Sequence, residues 1–258
     1  MKRILIGVAG VWALLIAVPA SIANAADMPV KAPAIPAPAA PSWAGLYVGI
    51  NGGYGWDQTT WTFPTLQFFD TAAGQAFATH PKGGIAGGQI GYNVQTGAWV
   101  FGAELTGDWA DLSQTLVGPV TPIFPSDTYT TKLQDLETIT VRVGYAPGSW
   151  LFYAKGGAAS GSVRLNAISG VPVAGEAFSS TQRQLVGATA GGGIEYMLTP
   201  HFIVGIEYDY VALDGATIST TAICTNAATC GGTPTTPVSV GSNTFRVQSV
   251  LGRVSYKF

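Results

Sequence analysis

The chain is 258 residues long with a formal net charge of −2, and only 10% of its residues are charged while 47% are hydrophobic. A soluble domain needs more surface charge than this, and a helical membrane protein needs repeated apolar spans of about twenty residues, which are absent after the N-terminal segment. No basic patch points to nucleic acid as a partner.

The N-terminus reads as an address. Lys2 and Arg3 precede an apolar run from Ile4 to Ala17, then Pro19 and the small-x-small stretch Ala23-Asn24-Ala25. That pattern predicts a cleaved secretory signal peptide over residues 1–25, and Pro19 with the small residues after it argues against a retained membrane helix. Removing Lys2 and Arg3 makes the mature chain more acidic. Residues 26–43 are rich in Pro and Ala, which favours an extended periplasmic leader. Residues 44–258 form the candidate domain.

Strict alternation of apolar and polar residues then predicts eight strands. The first, near Gly45–Trp56, places Leu46, Val48, Ile50, Tyr54 and Trp56 on one face and Tyr47 and Asn51 on the other. The second, about Gly84–Gln95, sets Ile90, Tyr92 and Val94 against Gln89, Asn93 and Gln95. The third, about Ala98–Trp109, sets Trp99, Phe101, Leu105 and Trp109 against Glu104, Thr106 and Asp108. The fourth, about Thr138–Tyr145, sets Ile139, Val141, Val143 and Tyr145 against Thr140 and Arg142. The fifth, about Trp150–Arg164, turns Tyr153 and Lys155 away from Trp150 and Phe152. The sixth, about Arg183–Met197, turns Thr189 and Glu195 away from Val186, Ile194 and Tyr196. The seventh, about Phe202–Leu213, turns Glu207 and Asp209 away from Ile206, Tyr208 and Tyr210. In the last strand Val250, Val254, Tyr256 and Phe258 oppose Ser249, Arg253, Ser255 and Lys257.

Connection lengths alternate as well. Those after the second, fourth and sixth strands are short, and those near 57–83, 110–137, 165–182 and 214–243 are long. Outer-membrane barrels have short periplasmic turns, long external loops and an even strand number. The expected fold is therefore all-β: an eight-stranded antiparallel transmembrane β-barrel with four long outer loops and three short periplasmic turns.

Several stretches resemble the RopB-like small outer-membrane proteins of alpha-proteobacteria, within the broader OmpA-type and opacity-antigen-type barrels. They are ADMPVKAP, WAGLYVGINGGYGW at Trp43–Trp56, GGQIGYN at Gly87–Asn93, VFGAEL at Val100–Leu105, VRVGY at Val141–Tyr145 and the closing RVSYKF. The resemblance implies a barrel in the outer membrane of a Gram-negative bacterium. It also implies that the face of Val254, Tyr256 and Phe258 is what the outer-membrane assembly machinery reads. Family members are labelled porins or surface antigens, and some are linked to haem binding.

The candidate site residues follow from parity. Glu104, Arg142, Lys155, Glu195, Glu207, Asp209 and Arg253, with Asp108, face the interior, where lone charges are costly and must pair. A polar plug centred on Glu104 and Glu207 with Arg142 and Arg253 is expected, since eight strands leave room only for side chains. Arg164 and Arg246 fall on the outward face near the outer strand ends, where a cation can meet lipopolysaccharide phosphates or simply be an exposed rim arginine. Cys224 and Cys230 lie in the last long loop, and the oxidising secretory route favours a disulfide over a metal site, with free thiols as the alternative.

No cofactor, metal or catalytic residue is expected. His80 and His201 fall in different connections without a nucleophile motif around either. The clusters Gly83-Gly84, Gly87-Gly88 and Gly191-Gly192-Gly193 lie inside strand periodicity, which argues against a phosphate loop and for room beside bulky interior neighbours. The leading functional reading is a non-enzymatic structural barrel that supports the outer membrane and displays loops to extracellular partners. The alternatives are a small porin for water or small solutes and, more distantly, a haem receptor using His80.

Overall fold

The computed structural model describes residues 41–62, 76–117, 128–168, 179–215, 217–223, 235–242 and 245–258. The chain divides into Met1–Ala39 and Ala40–Phe258, and all described residues belong to the second unit. Its strands are β1 (Gly45–Thr62), β2 (Ala76–Thr79), β3 (Lys82–Thr96), β4 (Trp99–Val117), β5 (Thr128–Tyr145), β6 (Trp150–Ile168), β7 (Ser179–Met197), β8 (Phe202–Leu213), β9 (Thr217–Ile223), β10 (Thr235–Ser242) and β11 (Phe245–Lys257). Eight of these, β1, β3 to β8 and β11, pair antiparallel with their neighbours around a ring. The last strand closes it: β11 pairs with β1 from Tyr47 opposite Lys257 to Gln58 opposite Arg246. Closure leaves these strands no open edge, which is the condition for crossing a bilayer with β-structure.

Alternation sets the two surfaces. Along β11 every second residue from Phe245 to Lys257 is buried and those between are mostly exposed. The exposed set is apolar: Ile50, Val141 and Ile206 are 65–69% exposed, and Trp109 reaches 79%. In water this face would carry the cost of uncovered apolar area; in lipid it carries none. Aromatic side chains gather at the end where the chain enters and leaves. Trp150 packs on Tyr196 with centroids 4.7 Å apart, Trp99 meets Tyr145 at 5.7 Å, and Tyr256 meets Phe258 at 5.2 Å. Such a girdle marks a membrane interface. The tight connections lie at this end too, with Gly97 (φ 61°) and Gly148 (φ 72°) taking the left-handed conformation that their turns require.

The strands run farther than the sequence pattern predicts. Much of the expected loop 110–137 is ladder, because β4 continues to Val117 and β5 begins at Thr128, with Val117 opposite Thr128. The expected loops 57–83, 165–182 and 214–243 likewise hold strand, including β2, β9 and β10. The reason is physical: beyond the bilayer the outward face meets water while the lumen stays apolar, so the alternation inverts, with Asp111 and Ser113 exposed and Ala110 and Leu112 buried, while cross-strand pairing persists. Thr115 and Thr130, for example, share a 2.9 Å hydroxyl hydrogen bond across β4 and β5. A bulge between Leu133 and Asp135 shifts the phase of β5, so Leu133 and Leu136 are both buried.

Candidate functional site

The barrel interior is filled at three levels. At the periplasmic end Trp43, Val100, Ala146, Leu151, Tyr153, Met197 and Ile203 pack together. At the outer end a larger apolar cluster includes Ile85, Leu112, Leu133, Val163, Leu213 and Phe245. Between them lies a layer of ion pairs. Apolar groups rather than charge fill much of the lumen on either side of this layer.

Arg253 is the centre of the layer. Its guanidinium bridges Glu104 and Glu207, donating to Glu104 Oε1 at 3.1 Å and to the Tyr153 hydroxyl at 3.2 Å, with closer contacts to Glu104 Oε2 and Glu207 Oε2. Lys155 Nζ lies 2.7 Å from Glu207, 3.0 Å from Asp209 and 3.8 Å from Glu104. Arg142 pairs with Glu195 at 3.3 Å, lies 3.8 Å from Glu104 and donates Nε–H to Asn93 at 3.0 Å. Its guanidinium also lies 4.6 Å from the Tyr47 ring and 5.1 Å from the Tyr153 ring. The two tyrosines complete the carboxylate shells: Tyr47 donates to Glu104 at 2.7 Å and Tyr153 to Glu207 at 2.5 Å. All seven interior residues named from the sequence thus meet in one network. Asp108 is buried beside them but makes no ion pair among the described residues.

Glycines give these large groups their seats. A Cβ on Gly91 would strike the Tyr47 ring, one on Gly193 the Tyr153 ring, and ones on Gly87 and Gly191 the carboxylates of Asp108 and Asp209. The clusters that superficially resemble phosphate loops are therefore packing features of strands β3 and β7.

The residue missing from the sequence reading is Trp43, assigned there to the leader. It is fully buried and tied into the periplasmic mouth. Its N–H donates to Gln95 at 2.7 Å, its indole N–H to the Gly148 carbonyl at 3.2 Å, and its carbonyl accepts from Asn93 at 3.2 Å. Lys257 Nζ donates to the neighbouring Ser42 carbonyl. The available signal was parity, since Trp43 shares the odd numbering of inward Tyr47.

The other named residues lie apart. Arg246 points outward near the outer end, and Arg164 donates to Gln182 at 3.2 Å farther along β6. Val254, Tyr256 and Phe258 form an outward face with Phe202. His80, exposed, is at the outer end, and His201 contacts the Lys257 carbonyl through Nδ1 at 2.9 Å at the periplasmic end. Cys224, Cys230 and the predicted signal peptide lie outside the described residues.

Residues 28–258 match the family model of the outer membrane protein beta-barrel domain. The chain belongs to that family. Among its relatives is the 31 kDa outer-membrane immunogenic protein of Brucella melitensis, 30% identical over 201 residues that cover 75% of this chain and 82% of that protein. The 25 kDa outer-membrane immunogenic protein of Brucella abortus is 32% identical over 197 residues, covering 73% and 76%. Among solved structures, the outer membrane protease OmpT of Escherichia coli aligns with a TM-score of 0.54 at 10% identity, covering 83% of this chain and 97% of that one. At that identity the likeness concerns the fold alone. The protein is an outer-membrane β-barrel of a Gram-negative cell envelope.

Proposed function

We propose that this barrel is a non-enzymatic structural protein that strengthens the outer membrane and displays its outer loops. One observation carries the reading. Arg253, Glu104, Glu207 and Lys155 interlock across the lumen between an apolar outer cluster and a periplasmic mouth stoppered by Trp43. Side chains that fill an eight-stranded interior leave a scaffold rather than a channel. The immunogenic outer-membrane relatives in Brucella support exposure of the loops to the outside. The outward face of Val254, Tyr256 and Phe258 is available to the assembly machinery during insertion.

Planar-bilayer recording tests the reading directly. The expected trace is flat at voltages that open general porins, and steady openings of porin size would defeat it. A narrow water or small-solute passage is the second reading. It is favoured by buried polar atoms without a protein partner at Asn51, Thr106, Asp108 and Thr140, which are natural seats for water. Proteoliposome swelling above the lipid-only rate would select it.

A further inference from the structure

We propose that Lys82 and Arg246 form a phosphate-binding patch for the phosphorylated glycolipid of the outer leaflet, lipopolysaccharide. This goes beyond the structural reading and holds whether or not the lumen conducts. The first support is position. On β1 the outward face is apolar or glycine from Leu46 through Trp56 and turns polar at Gln58. Lys82 is the register partner of Trp56 on β3, and Arg246 is the partner of Gln58 on β11. Both side chains are exposed on the outward face.

Stagger brings the two cations to one height. Lys257, at the end of β11, pairs with Tyr47, and Gly45, at the start of β1, pairs with Asn93 short of the end of β3. A row of partners therefore climbs away from the periplasm on passing from β11 through β1 to β3. Lys82 shares a row with Trp56 and Gln248. Arg246 is the next outward residue above Gln248, so the climb across two strands is matched by its step along β11. Two strand spacings separate the chains laterally by roughly 10 Å, a span that a long lysine and arginine can close onto phosphate.

The patch is also held in place. Asp57, 4% exposed, accepts from the Arg246 backbone N–H at 2.8 Å and from the Thr59 hydroxyl. Its own N–H donates to the carbonyl of Pro81 at 2.7 Å, next to Lys82. Asp57 thus ties β11, β1 and the start of β3 together while its carboxylate faces inward. Among the described residues neither the Lys82 nor the Arg246 side chain has an ion-pair or hydrogen-bond partner. The other outward cations differ: Lys132 pairs with Asp111 at 2.7 Å, and Arg164 is engaged by Gln182 and lies beyond Ser160 and Ser162. Two unopposed cations directly above an apolar belt complement the phosphates of a lipid whose acyl chains cover Tyr54 and Trp56. Arg246 is thereby retained from the sequence reading, Arg164 is replaced by Lys82, and Asp57 is a positioning residue.

The test is binding of purified rough-type lipopolysaccharide to the full-length barrel in detergent micelles, followed by native mass spectrometry. Wild type should retain the glycolipid, and K82A/R246A should bind it at least about tenfold more weakly. R164A should stay within about twofold of wild type, and K82R/R246K should recover most of the binding. Dephosphorylated lipopolysaccharide should bind wild type no better than the intact form binds K82A/R246A. This last comparison needs no variant, so it decides the matter even where a substitution impairs folding; heat-modifiability on gels reports folding. Equal binding by K82A/R246A and wild type, an equal loss in R164A, or indifference to the phosphates would overturn the proposal.

Discussion

The middle and outer levels of the lumen fill the same cross-section with opposite chemistry. Around Arg253 a few long side chains reach across the barrel, and each group serves several partners. Around Leu112 many shorter apolar groups meet in the centre, and each contact is small. The difference lies in how damage spreads. Truncating an apolar residue leaves a cavity whose lining can partly relax. Removing one ion leaves its partners charged, buried and short of a counter-ion, and no small relaxation repairs that. The ionic level is therefore the more brittle one, although replacing all of it by apolar residues need not be costly.

Urea-driven unfolding in lipid vesicles can break or sharpen that contrast. Arg253→Ala should have the largest effect, a loss of about 3–5 kcal/mol, because Glu104 and Glu207 are stranded together; a loss below ~1 kcal/mol would mean that the layer is wet and self-repairing. Leu112→Ala should cost about 2–5 kcal/mol through its cavity, and a cost above that of Arg253→Ala would reverse the ranking. Gly91→Ala should cost about 1–3 kcal/mol by pushing Tyr47 off Glu104, with a neutral result showing that Tyr47 has another seat. Lys132→Ala should be smallest, under about 1 kcal/mol. It breaks only the rim pair with Asp111, whose side chains are 39% and 75% exposed.

Legibility in the sequence followed the environment of each segment. Within the bilayer, lipid and lumen impose opposite demands on alternate residues, so the faces of Ile50 and Asn51, or Val141 and Arg142, could be read directly. Past Trp109 on β4 the outward residues turn polar at Asp111, Ser113 and Thr115 while Ala110 and Leu112 stay buried, so the ladder continues to Val117 with the apolar-out pattern reversed. The bulge near Leu133 hid two further core residues by changing phase in mid-strand. Trp43 was masked by the Pro- and Ala-rich stretch before it, and only its hydrogen bonds to Gln95 and Gly148 place it in the mouth.

The amino-acid order alone determined the eight strands of the ring, the oily exterior and which ionisable groups face inward, because those depend on a two-residue period and on the cost of charge in lipid. Only the closed ring decided who meets whom. Glu104 and Arg253 are 149 positions apart and become partners through the stagger that brings β11 back onto β1. The same stagger levels Lys82 with Arg246 and seats Tyr47 over Gly91. Such pairings depend on the register between strands, a property of the assembled sheet that no single strand carries.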